Sequence, residues 1–254
     1  MFHVAFYDRS LYVPLSSTLV VADLHVGRAD ASDVNAPLGE GADLVERLGG
    51  AVDAFAPEQV VFAGDVLHEF GRVGSGARET LTTLTEVCRD AGARPVMVAG
   101  NHDGVLSTVW DGPIHDAYVV DGGEGDVVVC HGHEEPVETG QTGAGGGEGD
   151  DADTETADAT PALYVVGHDH PAITIEGQKR PCFLYGEGVY RGGDLLMLPA
   201  FTRVAAGVAV NGMRSRDFQS PLVRDADALR PIVWDQSTAE ALWFPPLGRF
   251  RRLL

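Results

Sequence analysis

The sequence predicts an α/β fold built from two mixed sheets, and three observations carry that expectation. Short continuous apolar runs at 19–22, 59–63 and 95–99 read as strands buried on both faces. Two stretches with apolar residues at helical spacing, about 39–55 and 76–91, separate them. Beyond residue 117 strand-like runs follow one another without helical patterns between them, which implies a second, partly antiparallel sheet packed on the first.

Each element can be justified in order. Residues 4–7 read as an edge strand and 8–10 as a turn. Residues 14–18 lead into the strand at 19–22, which runs into Asp23-Leu24-His25-Val26-Gly27. On an extended segment, side chains i and i+2 share one side, so Asp23 and His25 can reach a common point. A carboxylate oxygen and an imidazole nitrogen converging there begin a divalent metal site. Residues 28–37 are small and polar and suit a loop over that site. The helix at 39–55 aligns Leu44, Val45, Leu48, Val52 and Phe55, and Pro57 stops it. The strand at 59–63 ends in Gly64-Asp65. The helix at 76–91 aligns Leu81, Leu84, Val87 and Cys88, and the strand at 95–99 ends in Gly100-Asn101-His102-Asp103. Parallel strands of an α/β sheet present their carboxyl ends to ligands, which puts all three tips on one edge. Strands at 118–120, 126–130 and 163–166 follow, the last two closing on His131-Gly132-His133 and Gly167-His168-Asp169-His170. Further short strands are expected at 173–175, 182–185, 195–198 and 204–210, and the tail with Trp234, Trp243 and Phe244-Pro245-Pro246 should pack back on the core.

A chain of 254 residues, 44 % apolar, buries a core comfortably and reads as one domain spanning 1–254. No run approaches the roughly 20 apolar residues that span a bilayer. The first residues lack a basic n-region and an apolar h-region, so a cytoplasmic location is expected. Cys88, Cys130 and Cys182 are odd in number and widely spaced, which argues against a disulfide framework and for buried thiols. Residues 138–161 are rich in Gly, Asp and Thr and nearly devoid of large apolar side chains. They read as a disordered acidic insertion, since burial could not offset their ordering entropy. Asp150, Asp151 and Asp153 lack the spacing of an EF-hand loop. Net charge is −20, with Lys179 the one lysine beside seventeen arginines. That balance resembles proteins of salt-in halophilic archaea, where hydrated carboxylates keep repelling in high salt. An acidic protein of a GC-rich genome is the alternative. Under the first reading, acidity says nothing about substrate.

Five motifs stand in one order, each after an apolar strand: Asp23-x-His25, Gly64-Asp65, Gly100-Asn101-His102-Asp103, His131 and Gly167-His168-x-His170. Each alone is weak; together, at strand ends, they resemble the calcineurin-like metallophosphoesterases with their D-x-H, G-D, G-N-H-[D/E], H and G-H-x-H pattern. The segments around Asp23 and Asp65 look more specifically like archaeal SbcD-related, ICC-like phosphoesterases, which are similar to the phosphoesterases encoded beside DNA ligase in some bacteria. In that subfamily a lysine often precedes the histidine matching His68; here Leu67 stands there, so any role of that lysine is absent.

The resemblance implies a four-layer α/β/β/α sandwich of two mixed sheets flanked by helices, and a two-metal site. Asp23, His25 and His170 would hold one ion, Asn101, His131 and His168 the other, and Asp65 would bridge them. Mixed carboxylate, amide and imidazole donors suit Mn²⁺ foremost, with Fe, Zn or Ni as alternatives. A bridge keeping two dications about 3.5–4 Å apart lets one phosphate span both, and the bridging water, acidified to hydroxide, attacks phosphorus in line. His102 would face substrate, stabilising phosphoryl oxygens or protonating the leaving oxygen. Asp103 could orient His102 and raise its pKa, or cap a helix, or both. Arg28 and His68 lie just beyond ligand tips, where they either contact phosphate or face solvent. Of His131 and His133, the one at the strand end, His131, is the expected ligand; His133 is supporting or exposed. His3 and His115 match no motif.

The leading expectation is therefore a metal-dependent phosphoesterase acting on diesters or monoesters, with a nucleotide or nucleic acid as candidate substrate. A non-catalytic scaffold of the same fold would have lost Asn101, His102 or Asp65, and all three are present. A DNA nuclease or repair factor working with partner proteins draws only on the resemblance. The chain shows no basic stripe and no capping domain for DNA.

Overall fold

The computed structural model describes residues 3–28, 39–68, 71–137 and 161–251. The first sheet contains β1 (Ala5–Tyr7), β2 (Ser10–Val13), β3 (Thr18–Val21), β4 (Gln59–Ala63), β5 (Arg94–Val98) and β6 (Ile114–His115) in that spatial order. β1, β2 and β3 form an antiparallel meander, and β3 to β6 run parallel. The crossovers carry α1 (Glu40–Phe55) and α2 (Ser75–Asp90). Alternation along each strand decides which face goes where. Leu19, Val21, Val60 and Phe62 point to the helices and meet Leu44, Leu48, Val52, Leu81 and Leu84. Val20, Ala22, Val61, Ala63, Val96 and Val98 point the other way, into the core shared with the second sheet. α1 ends where Ala56 turns left-handed (φ 45°) ahead of Pro57, its N–H still donating to the Val52 carbonyl.

The second half supplies β7 (Ala117–Asp121), β8 (Asp126–Cys130), β9 (Leu163–Val166), β10 (Pro171–Ile175), β11 (Gln178–Pro181), β12 (Phe183–Tyr190), β13 (Gly193–Met197), β14 (Val208–Ala209), β15 (Arg230–Asp235) and β16 (Glu240–Trp243), then a four-residue helix α3 (Leu247–Phe250). Seven of these strands make a sheet in the order β16-β15-β12-β13-β9-β8-β7, and β11-β10-β14 form a small sheet of their own. The inner face of the large sheet offers Tyr118, Val127, Val129, Val165, Phe183 and Leu196 to the first sheet. Its outer face, with Val128, Tyr164, Val166, Leu184 and Met197, is covered by Ile173, Val210, Phe218, Leu222, Leu229, Leu247 and Phe250. The two outer layers therefore differ in make-up: long helices over the first sheet, and the small sheet, 3₁₀ turns and α3 over the second.

The mixed α/β architecture agrees with the expected fold class, and the differences are local. β2 and the β15–β16 hairpin were not foreseen as strands. The expected strand at 204–210 shrinks to Val208–Ala209, because Gly207 turns at φ +67° with its Cα packed against the His170 carbonyl. A Cβ there would sit 3.0 Å from that oxygen. All three cysteines are buried and free. Among the described residues, no helix is long and apolar enough to cross a membrane. The insertion expected at 138–161 falls on residues outside the described ones up to 160, as does most of the loop expected at 28–37.

Candidate metal centre

The carboxyl ends of β3, β4 and β5 from one sheet meet those of β8 and β9 from the other, so the five motifs gather at one edge of the sandwich. Past the strand ends the backbone keeps pairing: the His25 N–H donates to the Asp65 carbonyl (2.8 Å) and the Val26 N–H to that of Val66 (2.9 Å). The conformation is nevertheless not extended. Asp23, His25, Asp65, His168 and His170 have φ of 56°, 48°, 46°, 75° and 47°. Left-handed backbone at non-glycine residues costs on the order of 1 kcal/mol or more each and persists where the surroundings impose it. The premise that Asp23 and His25 share a side because they sit two apart on a strand is thus corrected: β3 stops at Val21, and left-handed turns aim both side chains. Glycines make room for this crowding. A Cβ on Gly100 would lie 2.2 Å from the Asp65 nitrogen, and one on Gly64 would lie 2.4 Å from His131 Nδ1.

The donors fall into two groups. In the first, His25 Nε2 faces His170 Nε2 at 3.1 Å, and His170 Nε2 is 3.3 Å from Asp23 Oδ1. In the second, His131 Nε2 lies 3.1 Å from His168 Nδ1 and 3.1 Å from Asn101 Oδ1. Asp65 stands between them: Oδ1 is 3.4 Å from His131 Nε2, and Oδ2 is 3.7 Å from His25 Nε2. Asp23, His25 and His170 bring one ligand atom each within 4.8 Å of one another, as do Asp65, His131 and His168, and a further cluster joins His25 to His68 and His102. The structure thus brings together all seven residues expected as ligands.

Electrostatics follow from burial. Desolvation lowers His25 to about 3 and His131 to about 4, leaving both imidazoles neutral with lone pairs to donate. His168 is lowered for the same reason. Burial also works against a charged His170, but the adjacent Asp23 carboxylate outweighs it and raises the group. Asp23 itself is pushed up by burial, yet the His170 hydrogen bond and the neighbouring histidines hold it below the ordinary carboxylate value. Asp65 is raised to about 7 by burial, with Asp23 and Asp103 adding repulsion. Pairs of imidazole nitrogens at 3.1 Å and a buried carboxylate short of positive charge need a proton or a cation among them. Nitrogen and hard oxygen donors in this mixture fit a pair of divalent transition ions.

Around this centre the other expected site residues take distinct places. His102 Nε2 is 3.9 Å from Asp65 Oδ2, and its own N–H donates to Asp65 Oδ1 at 2.9 Å. The His68 ring stacks on that of His102 (centroids 5.8 Å, 11° between planes) and meets His25 edge-on at 5.4 Å. The Arg28 guanidinium lies close enough to disfavour charge on His25 and His170. Asp103 starts no α-helix, which corrects the capping reading. Its carboxylate accepts the N–H groups of Gly100 (2.8 Å), Leu67 (3.0 Å) and Val66 (3.2 Å), tying the Asp65 and Asn101 loops together. His133 rests 5.2 Å ring to ring from His131, and His115 packs on Tyr118.

Two braces escaped the sequence reading. Asp169, between the ligand histidines, is buried and accepts the N–H groups of Gln219 (2.8 Å) and Ser220 (3.0 Å), anchoring that tip to the outer layer. Arg9 and Arg47 hold the carbonyls of Ala200, Phe201 and Thr202, a strap whose Phe201 N–H donates to the Ala22 carbonyl beside Asp23. The x of G-H-x-H carried a weak signal, a carboxylate between two ligands. The arginines carried none, being 154 to 193 residues from their partners.

The chain is similar to the Pseudomonas putida nuclease MPE in its crystal structure, at 21 % identity over 92 % of this chain and 96 % of that one, with a TM-score of 0.55. Yfce, a phosphoesterase from E. coli, aligns at 13 % identity over 90 % of this chain and 98 % of that one, with a TM-score of 0.42. No curated protein matches the chain. The model of the calcineurin-like phosphoesterase family matches residues 16–197, which hold every donor described above. With most of its length and its whole donor set inside that match, the chain belongs to the calcineurin-like phosphoesterase family.

Proposed function

We propose that this protein is a metal-dependent phosphodiesterase whose two ions are held by Asp23, His25 and His170 on one side and by Asn101, His131 and His168 on the other, with Asp65 shared. The observation that carries this reading is the pose of Asp65, whose two oxygens face histidines of opposite groups at 3.4 and 3.7 Å. Bound divalent ions would supply Lewis-acid polarisation of the phosphoryl oxygens and an acidified water, with Mn²⁺ the best match to the donors. The chain's own residues do the rest. Burial keeps His25 and His131 neutral and ready to donate lone pairs. His102, at the solvent-facing rim of Asp65 with its side chain 22 % exposed, offers an imidazole N–H to a phosphoryl or leaving oxygen. His68 and Arg28 flank that position and would orient the phosphate. Asp103 keeps the His102 and Asp65 loops in register through its three amide hydrogen bonds.

A nucleic-acid or nucleotide substrate is favoured by the fold shared with a protein named as a nuclease. The acidic, lysine-poor composition supports a haloarchaeal setting; a cytoplasmic location, kinship to the SbcD-related enzymes and a single domain belong to the same proposal on the grounds of the chain's start, its motif segments and its length. The test is hydrolysis of bis-p-nitrophenyl phosphate in multimolar salt with Mn²⁺, with a chelated control. Chelator-sensitive turnover supports the proposal. Turnover of the monoester alone would make the protein a monoesterase, and turnover of neither with metal bound would favour a phosphate-binding scaffold.

A further inference from the structure

His68 and His102 stand beside the first donor group, their rings 5.4 and 5.3 Å from that of His25. The second group has a counterpart. The His133 ring lies 5.2 Å from that of His131, tilted by 49°, and 6.1 Å from that of His168. It borders both imidazoles of the second group yet differs from them in exposure. The His131 side chain is 1 % exposed and that of His133 30 %. A ring that borders two donors and still reaches solvent stands at the rim of the site, where a ligand arrives.

The loop around His133 is fixed on both sides. Gly132 turns at φ +95°, and a Cβ there would lie 2.9 Å from Val166 Cβ, so a glycine separates the buried His131 from the half-buried His133. Two residues on, the Glu135 carboxylate accepts from Arg191 at 2.9 Å and from Arg224, tying the loop to the β12–β13 turn and to the segment after Leu222. The ring itself has hydrogen-bonding capacity to spare. Its one ionic neighbour among the described residues, Glu134 Oε1, is 4.0 Å from Nε2 on a side chain 82 % exposed, beyond hydrogen-bonding reach. A neutral imidazole carries one N–H donor, and no protein acceptor among the described residues takes this one.

We infer that His133 is a substrate-binding residue whose ring N–H donates to a phosphoryl oxygen on the flank of the second donor group, as His102 serves the first. The inference deepens the phosphodiesterase reading and rests on it. The group recognised is the anionic phosphoryl oxygen, so the contact is common to a phosphate ester and to inorganic phosphate. A hydrogen bond to a charged oxygen corresponds to about ten-fold or more in affinity. Its loss raises KM more than it lowers kcat, because the contact exists in the ground state as well as in the transition state.

Three variants separate hydrogen bonding from ring packing. His133→Phe keeps a ring beside His131 and His168 without a donor, His133→Gln keeps an N–H donor without a ring, and His133→Ala removes both. With bis-p-nitrophenyl phosphate and Mn²⁺, kcat/KM should fall about ten-fold or more in His133→Phe and His133→Ala, chiefly through KM, and by less in His133→Gln. Both ions, counted by mass spectrometry, should stay bound in all three. Native kinetics in His133→Phe would make the residue a packing element. Loss of an ion in step with turnover would make it a support for His131 and His168, and either result overturns the inference. If the native chain hydrolyses no diester, the phosphodiesterase reading has failed, and the contact is measured without catalysis. Calorimetric titration of desalted, Mn²⁺-loaded protein with inorganic phosphate should then give a Kd about ten-fold weaker in His133→Phe than in the native chain. Equal affinities, or a native chain that binds no phosphate, overturn the inference as well.

Discussion

Replacing Asp65 by Asn should stabilise the metal-free protein at alkaline pH while removing its capacity to hold two ions. Burial, together with Asp23 and Asp103, raises the Asp65 carboxyl from 3.8 to about 7. An acid whose folded-state pKa lies above its unfolded value binds the extra proton in the native state. Stability therefore falls as pH rises between the two values. The displacement corresponds to a penalty of about 4 kcal/mol, complete above about pH 7 and absent below about pH 4. Asn is isosteric and keeps an oxygen to accept the His102 N–H, so the substitution removes the charge with little else. Denaturant unfolding of the chelator-treated proteins should give stabilities within about 1 kcal/mol of each other at pH 4.5, with the variant ahead by about 4 kcal/mol at pH 8. Adding Mn²⁺ should reverse the order, because binding to the native state stabilises only a chain that retains both sites. A stability difference that does not change with pH, or equal stabilisation of the two chains by Mn²⁺, would refute the reasoning.

Other perturbations separate the remaining roles. His102→Ala should lower turnover by about 10²–10⁴ with metal content intact; parallel loss of metal would make His102 a ligand. Asp103→Ala leaves three main-chain N–H groups near the site without their acceptor and should cost about 3 kcal/mol in thermal or chemical unfolding. An unchanged midpoint would show that the brace contributes nothing. Deleting residues 140–158 should leave hydrolysis of a small diester nearly unaltered, and a collapse in turnover would make that stretch part of the site.

The strands that carry the centre were legible because each is a short apolar run closing on a polar tip, and both the run and the tip are local. The tips at Asp23, Asp65 and Asn101 could be placed on one edge from that pattern alone, and His131 and His168 joined them only through the family resemblance. What aims them was not legible. The left-handed backbone at Asp23, His25, Asp65, His168 and His170 is imposed by packing between two sheets, and none of these residue types announces it as glycine would. β16 escaped because this exposed edge strand lacks a continuous apolar run, whereas β2 and β15 lie inside their sheets, paired on both sides, and their short apolar runs at 11–13 and 232–234 went unread. Asp103 stood out in its motif, but its contacts were not legible, since its amide partners at 66 and 67 come from another loop. Arg9 read only as part of a turn and Arg47 carried no reading, and only the fold sets them against the strap at 200–202.

The most direct test of the central claim is the stoichiometry of metal against turnover. Chelator-stripped protein is titrated with Mn²⁺, with bound metal counted by mass spectrometry and diester hydrolysis followed at each point. Two ions per chain, with turnover rising as the second site fills and both sites lost in Asp65→Asn, is the expected result. Full turnover with one ion bound, or turnover that persists in excess chelator, would contradict the account.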